Sequence, residues 1–316
     1  SNISEDDADD ESTEQTSDTP TGVKTASPFT PANKIRAQIE KLTNLPPMPS
    51  MAQKILQLNA NPYAHAEDLA RLIEKDPSIS AQIIRYAQSP FYGYQGNLAS
   101  VRQAISRVLG YDLVMNIALG IASTRPFKNS PHGALGLKNY WRHATYSAAL
   151  VQTLSLVMPR KQRPRPGTAY LCGLLHNFGF LLMGYLYPKE FALLNNAVAD
   201  DPDTSVIEHE KKILGVTHCE VGSWLMEAWN MPKEISIAIA EHHNPAYNGP
   251  HAEYARLVLL ADTLLKRNDI GDGDSDELPL DVIEALGLVE QQVENALEKT
   301  IQGSEQLENM AKQLAA

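Results

Sequence analysis

YWRHATYSAALVQTLSLV, residues 140–157, begins with Tyr140-Trp141-Arg142-His143 and continues through Leu150, Leu154 and Val157. Apolar residues four and three apart share one face of an α-helix. The same spacing recurs outward on both sides. Leu69, Leu72 and Ile73 follow it, as do Val101, Ile105 and Val108, and then Leu257, Leu260 and Leu264. Ile35, Ile39 and Leu42 begin a similar stripe near the other end. No sustained period-2 alternation of β-branched residues competes with this pattern. Proline and glycine punctuate the chain at Pro46-Pro47, Pro62, Asp76-Pro77, Gly110, Pro164 to Gly167, Pro202, Pro232 and Pro245 to Pro250. Such intervals fit helices of roughly 10–15 residues. The sequence predicts an all-α fold, a multi-helix bundle.

The 316 residues carry 27 Lys+Arg against 38 Asp+Glu, a formal charge of -11. Eight of those acids lie between Glu5 and Asp18, with no base before Lys24, so the rest of the chain is near -3. Residues 1–30 hold almost no apolar side chains and are expected to form a disordered acidic linker to something upstream. The basic surface that non-specific nucleic-acid binding needs has no support in the bulk charge. No run approaches the roughly 20 apolar residues of a membrane span, and Ser1-Asn2-Ile3 does not open a secretory signal. Two cysteines, Cys172 and Cys219, suit a reducing compartment. The expected location is cytoplasmic, with no membrane and no nucleic acid as partner.

Two seams divide the helical part. Pro126 to Gly136 separates an N-terminal helical lobe, residues 33–125, from a central lobe, residues 137–267. Asn268 to Asp276 (NDIGDGDSD) separates that centre from helices over 277–316, which are expected to pack back onto it. The Asp-Gly-Asp look of the second seam invites a calcium loop. Counted from Asp269, however, position 3 is Gly271 and position 12 is Leu280, where an EF-hand needs acids.

Six of nine histidines lie between Trp141 and His243. His143 sits in the quoted helix. His176-Asn177 follows the apolar Leu174-Leu175. His218 follows Thr217, a good N-cap. His242 and His243 end the helix that starts at Pro232. Asp262 lies among Leu259, Leu260, Ala261 and Leu264. Taken singly, each reads as a satisfied core histidine or a solvated acid. Taken together, imidazoles and a carboxylate on facing helices suit a metal such as Fe, Mn, Zn or Ni. Cys219, beside His218, is a further ligand by chemistry, although packing is the expected role.

The string His143 … His176-Asn177 … His218 … His242-His243 … Asp262 resembles the ligand order of HD-superfamily metal-dependent phosphohydrolases. Leu45-Pro46-Pro47-Met48-Pro49, Asp76-Pro77-Ser78-Ile79-Ser80, Ser89-Pro90-Phe91-Tyr92-Gly93 and Leu109-Gly110 extend the likeness. Over Asn33 to Arg267 the chain resembles the HDOD family, the HD-related output domain of bacterial signalling proteins. The resemblance implies an HD-like bundle with an N-terminal helical lobe and a role in bacterial signal transduction through protein partners. It also implies a nucleotide or cyclic dinucleotide as a candidate ligand. The candidate metal ligands are His143, His176, Asn177, His218, His242, His243 and Asp262, around one divalent ion: Fe, Mn, Zn, Ni or Mg.

The chain departs from the enzyme pattern at two places. Asn177 stands where the resemblance implies a metal-bridging aspartate, and an amide offers one neutral oxygen instead of two charged ones. The expected ligand charge therefore falls from -2 to -1, that of Asp262 alone. Phe180 stands where some relatives carry a phosphate-contacting lysine. The expectation is a binding module with a degenerate metal site. The alternative is a metal-dependent phosphohydrolase acting on a nucleotide or cyclic dinucleotide.

Overall fold

The computed structural model describes residues 31–41, 45–130 and 132–316. The expected acidic linker over residues 1–30 and Leu42 of the first stripe lie outside the described residues. Among the described residues there is no strand. The elements are α1 (Pro31–Glu40), α2 (Ser50–Ala60), α3 (Ala66–Ile73), α4 (Pro77–Ala87), α5 (Val101–Ala104) and α6 (Tyr111–Thr124). They continue as α7 (Leu137–Val157), α8 (Pro166–Leu175), α9 (Phe178–Leu186), α10 (Pro188–Asp200), α11 (Val206–Ile213) and α12 (His218–Ala228). The last are α13 (Lys233–Glu241), α14 (Ala252–Lys266), α15 (Leu280–Ala285), α16 (Glu290–Gln302) and α17 (Ser304–Ala315).

Local chemistry sets the helix starts. Asp76 caps α4, its carboxylate accepting from the amides of Ser78 and Ile79, each at 3.1 Å, with Pro77 in the first turn. Ser205 caps α11 through the Glu208 amide. Thr217 and Glu220 form a reciprocal capping box that opens α12 at His218. The quoted helix starts earlier than its apolar stripe, at Leu137, so His143 lies in its second turn.

Helix α7 is the central post. It packs on α8 and α14, and α16 and α17 cover it from the C-terminal end of the chain. Helix α8 in turn packs on α6 of the N-terminal portion. Three polar ties join these parts. The Gly167 amide donates to Asp112 at 2.9 Å, the Trp229 indole donates to the Pro46 carbonyl at 2.9 Å, and the Tyr92 hydroxyl donates to Gln152 at 3.0 Å. The Ser89-Pro90 elbow orders its aromatics: the Tyr86 and Tyr92 hydroxyls lie 3.0 Å apart, and Tyr86 also meets the Tyr170 ring.

Residues 166–186 have the length and apolarity to cross a bilayer, which qualifies the expectation of no such run. Yet 83% of the most apolar window is buried inside the protein, and His176-Asn177 breaks it into α8 and α9. It is the core of the bundle. Gly179, just past the break, lies so near the start of α12 that a Cβ there would overlap the His218 carbonyl. That close approach brings α9 and α12 together at the site.

Arg125 pairs with Asp76 while Asp76 caps α4. The Arg125 hydrogen bond holds the carboxyl below the usual aspartate range, against burial, which pushes the other way. Asp76→Ala is expected to lower stability by about 1–2 kcal/mol through the lost cap, read as a shift of the urea midpoint. Because the folded pKa is depressed, the wild-type advantage is present above about pH 4. It shrinks as the pH falls below that value, and an unchanged difference down to acid pH would contradict the assignment.

Candidate metal centre

All seven sequence candidates meet in space. His143 comes from α7, His176 and Asn177 from the α8–α9 break, and His218 from the first position of α12. His242 and His243 follow α13, and Asp262 lies in the middle of α14. His176 and His218 are 0% exposed, His242 1%, Asp262 3% and His143 4%. Two ligand groups result, His143–His176–Asp262–Asp272 and His218–Cys219–His242–His243, in each of which the donor atoms lie within 4.8 Å of one another. The His176 and His242 rings, 5.0 Å apart, connect the groups.

Three acids escaped the sequence reading. Asp272 and Asp274 come from the loop after α14, the seam before the C-terminal helices. Their signal was available in Gly271-Asp272-Gly273-Asp274, directly after the helix bearing Asp262. Glu210 on α11 is 0% exposed and gave no pattern to distinguish it from a solvated acid. Asp262 is therefore not the sole acid among these rings. Asp272 lies beside the same histidine, with Oδ1 3.1 Å from His143 Nδ1.

Hydrogen bonds fix which nitrogen each ring offers. His176 Nδ1 donates to the Gly173 carbonyl at 2.7 Å, and His242 Nδ1 donates to the Ile239 carbonyl at 2.8 Å. His218 Nδ1 lies 2.9 Å from the Glu210 carboxylate, which also accepts from the His218 backbone amide at 2.8 Å. A carboxylate behind an imidazole fixes its tautomer and strengthens it as a ligand. All three rings thus turn Nε2 inward. His218 Nε2 and His242 Nε2 stand 3.2 Å apart, where two lone pairs would repel. A proton or a metal cation between them removes the conflict.

The first group shows the same need. His143 Nε2 meets Asp262 Oδ1 at 2.9 Å, and His176 Nε2 lies 3.4 Å from that oxygen. Four buried atoms facing this group have no hydrogen-bond partner: His176 Nε2, Asn177 Oδ1, Asp262 Oδ2 and Asp272 Oδ2. All four can act as acceptors, given the His176 tautomer. Buried acceptors without donors are costly, and a divalent cation would satisfy all four. The residues present therefore fit a metal. Mixed imidazole and carboxylate donors suit Fe, Mn, Zn or Ni, and a thiol in the second group favours the softer ions. Mg prefers all-oxygen surroundings. A bound ion would supply Lewis acidity at this point.

Charge follows geometry. Burial pushes the His143 pKa down, but Asp262 and then Asp272 more than offset it, and the pKa stands at about 10. Burial instead dominates at His176, lowered to about 4, and at His242, also held neutral. Both are ready as neutral ligands. His243 bonds Asp274 at 2.7 Å and titrates at about 9 despite its burial. Cys219 Sγ sits 3.6 Å from His218 Nε2, its thiol pushed up by burial. Phe180 stacks on His218 with centroids 4.2 Å apart and planes at 26°. A cavity of about 370 Å³ reaches His143, Asn177, Phe180, Asp272 and Asp274 and also touches Arg142 and Lys266.

The HDOD domain family model matches residues 45–245. An uncharacterized protein of Treponema pallidum (strain Nichols) is 24% identical over 290 residues, a match covering 89% of this chain and 54% of that protein. The crystal structure of a protein from Marinobacter aquaeolei VT8, provisionally named for signal transduction, superposes with a TM-score of 0.77 at 38% identity. That match covers 89% of this chain and 61% of the other. A protein of Shewanella amazonensis SB2B, provisionally named a phosphohydrolase, superposes at 0.68 with 22% identity, over 90% of this chain and 99% of that one. This last likeness is one of fold alone. The chain spans just over half the length of the curated relative it matches.

Glu210 touches no candidate ion position and acts through His218. Glu210→Gln keeps an acceptor for the His218 Nδ1 proton but removes the charge. It is expected to weaken Zn(II) binding by about 10–100-fold in competition with a chromophoric chelator. Unchanged affinity would remove Glu210 from the centre.

Proposed function

Because the chain belongs to the HDOD domain family, we propose that it is a regulatory output module of a signal-transduction pathway. Its histidine centre holds a divalent metal and does not hydrolyse phosphate esters. One observation carries the second part: the inward-facing donor atoms are sealed. His176 and His218 are fully buried and His242 nearly so. Phe180 covers the face of His218. Asn177 stands where a bridging carboxylate would, with its amide nitrogen donating to Asp272 at 2.9 Å. In-line displacement at a metal pair needs a water and a phosphoryl group in direct contact with the ions, and the buried rings of His176, His218 and His242 offer no open face to either, the cavity beside them reaching His143, Asn177 and Asp272 instead.

The two lobes, residues 33–125 and 137–267, together with the helices over 277–316, act in this reading as one scaffold that presents surfaces to protein partners in a bacterial cytoplasm. The metal orders the junction of α7, α9, α12, α13 and α14. The provisional name of the Marinobacter protein, at 38% identity, supports the signalling role.

A second reading has one observation in its favour. The 370 Å³ cavity reaches His143, Asn177 and Asp272 and has Arg142 and Lys266 on its wall. A nucleotide or cyclic dinucleotide could enter there, to be sensed or cut. The expected outcome of incubating the Mn(II)- or Zn(II)-loaded protein with cyclic dinucleotides, nucleotides and p-nitrophenyl phosphate is no turnover above that of His176→Ala. Turnover abolished by His176→Ala would replace the regulatory reading with the hydrolytic one. A nucleotide that raises the melting temperature progressively with the logarithm of its concentration, without being consumed, would establish a sensor.

A further inference from the structure

We propose that Asp272 is a metal ligand that takes over the negative charge absent at position 177. This rests on the metal-centre reading above and names a residue in it. Asp262 and Asp272 flank His143 from opposite sides, 2.9 Å from Nε2 and 3.1 Å from Nδ1. With both ionised, the carboxylate charge of the first group returns to -2, the value an aspartate at 177 would have given together with Asp262. The Asp272 side chain is 8% exposed and its Oδ2 has no hydrogen-bond partner. The same is true of Asp262 Oδ2, His176 Nε2 and Asn177 Oδ1, the atoms it shares the space with.

The orientation of Asn177 follows from its neighbour. A carboxylate only accepts, so the amide nitrogen must face Asp272 Oδ1, at 2.9 Å. The amide oxygen is then the atom left inside without a donor. An aspartate at 177 would bring a second carboxylate to the same distance from Asp272, and like charges so close exclude one another. Asn177 and Asp272 are therefore a matched pair: the amide tethers the loop carboxylate that replaces it.

The loop is built for this placement. Asp269 and Gly271 both take left-handed backbone angles, with φ of 56° and 87°. A Cβ at Gly271 would overlap the His143 ring, so only glycine lets the chain lie directly against it. The Arg142 guanidinium, one residue before His143, holds the Asp269 carbonyl at 3.2 Å. The Gly-Asp-Gly-Asp spacing that fails as a calcium loop is here a close-fitting arm carrying one ligand inward.

The test is a charge swap. Mn(II) and Zn(II) affinity and stoichiometry would be measured by calorimetry and elemental analysis for the wild type, Asp272→Asn, Asn177→Asp, the double exchange Asn177→Asp/Asp272→Asn, His176→Ala, and the exposed control Asp276→Asn. Thermal melts of the metal-free proteins would check folding. Asp272→Asn is expected to weaken the tight site by about tenfold or more, Asp276→Asn to leave it unchanged, and the double exchange to restore it. Asn177→Asp alone is expected to lower the metal-free melting temperature and regain it with metal. Wild-type binding that survives Asp272→Asn would overturn the inference while leaving the metal centre standing. Loss without rescue by the exchange would also overturn it, assigning Asp272 to loop structure. If neither wild type nor His176→Ala binds metal, the centre itself fails and the inference with it.

Discussion

A carboxylate taken out of water must find positive charge or donors in the space it enters. At the middle of this bundle Glu210, Asp262 and Asp272 face that requirement together, and imidazoles from three different places in the chain answer it. The helices cannot slide without breaking these contacts. His143 fixes α7 against α14, His218 fixes α12 against α11, and the His242 ring at the end of α13 packs edge-on against His176 at the α8–α9 break. Apolar packing supplies the bulk of the cohesion through a core that runs from Ile35 to Ala311. The polar centre supplies direction, because apolar side chains tolerate rotations that would leave these acids unpaired.

The fold was legible because its signal is repeated. Stripes such as Leu257, Leu260 and Leu264 belong to a helix whose face is buried, and all three are 0% exposed. Start signals at Asp76-Pro77 and Thr217 are local and need no tertiary context to be read. The histidines were legible as a set, and they do meet. What stayed hidden was the acid side of the centre. An aspartate in NDIGDGDSD has the composition of a solvated turn, and its burial depends on a glycine lying flat against a ring more than a hundred residues away in sequence. Glu210 is eight residues before the histidine it supports, on a different helix. Neither relation has a periodicity.

Phe180 shows how one position changes what a site can do without changing where it is. A lysine there would bring a mobile cation to the mouth of the cavity. The phenyl ring instead lies on His218 and also meets Phe191 on α10. The result is a centre whose buried nitrogens at His176, His218 and His242 are walled by aromatic and helical surface. Such walls lower the local dielectric and make a bound ion hold its ligands more firmly, which suits a part that must keep its shape.

Arg142 reaches in two directions at once, to Glu308 on α17 at 2.7 Å and to the Asp269 carbonyl at 3.2 Å. Tyr146, one turn further along α7, meets the same glutamate at 3.1 Å. The final helix and the arm bearing Asp272 thereby share one partner, the Arg142 guanidinium. Loss of that guanidinium would loosen α17 and the acid-bearing arm together, one residue from the histidine that both acids flank.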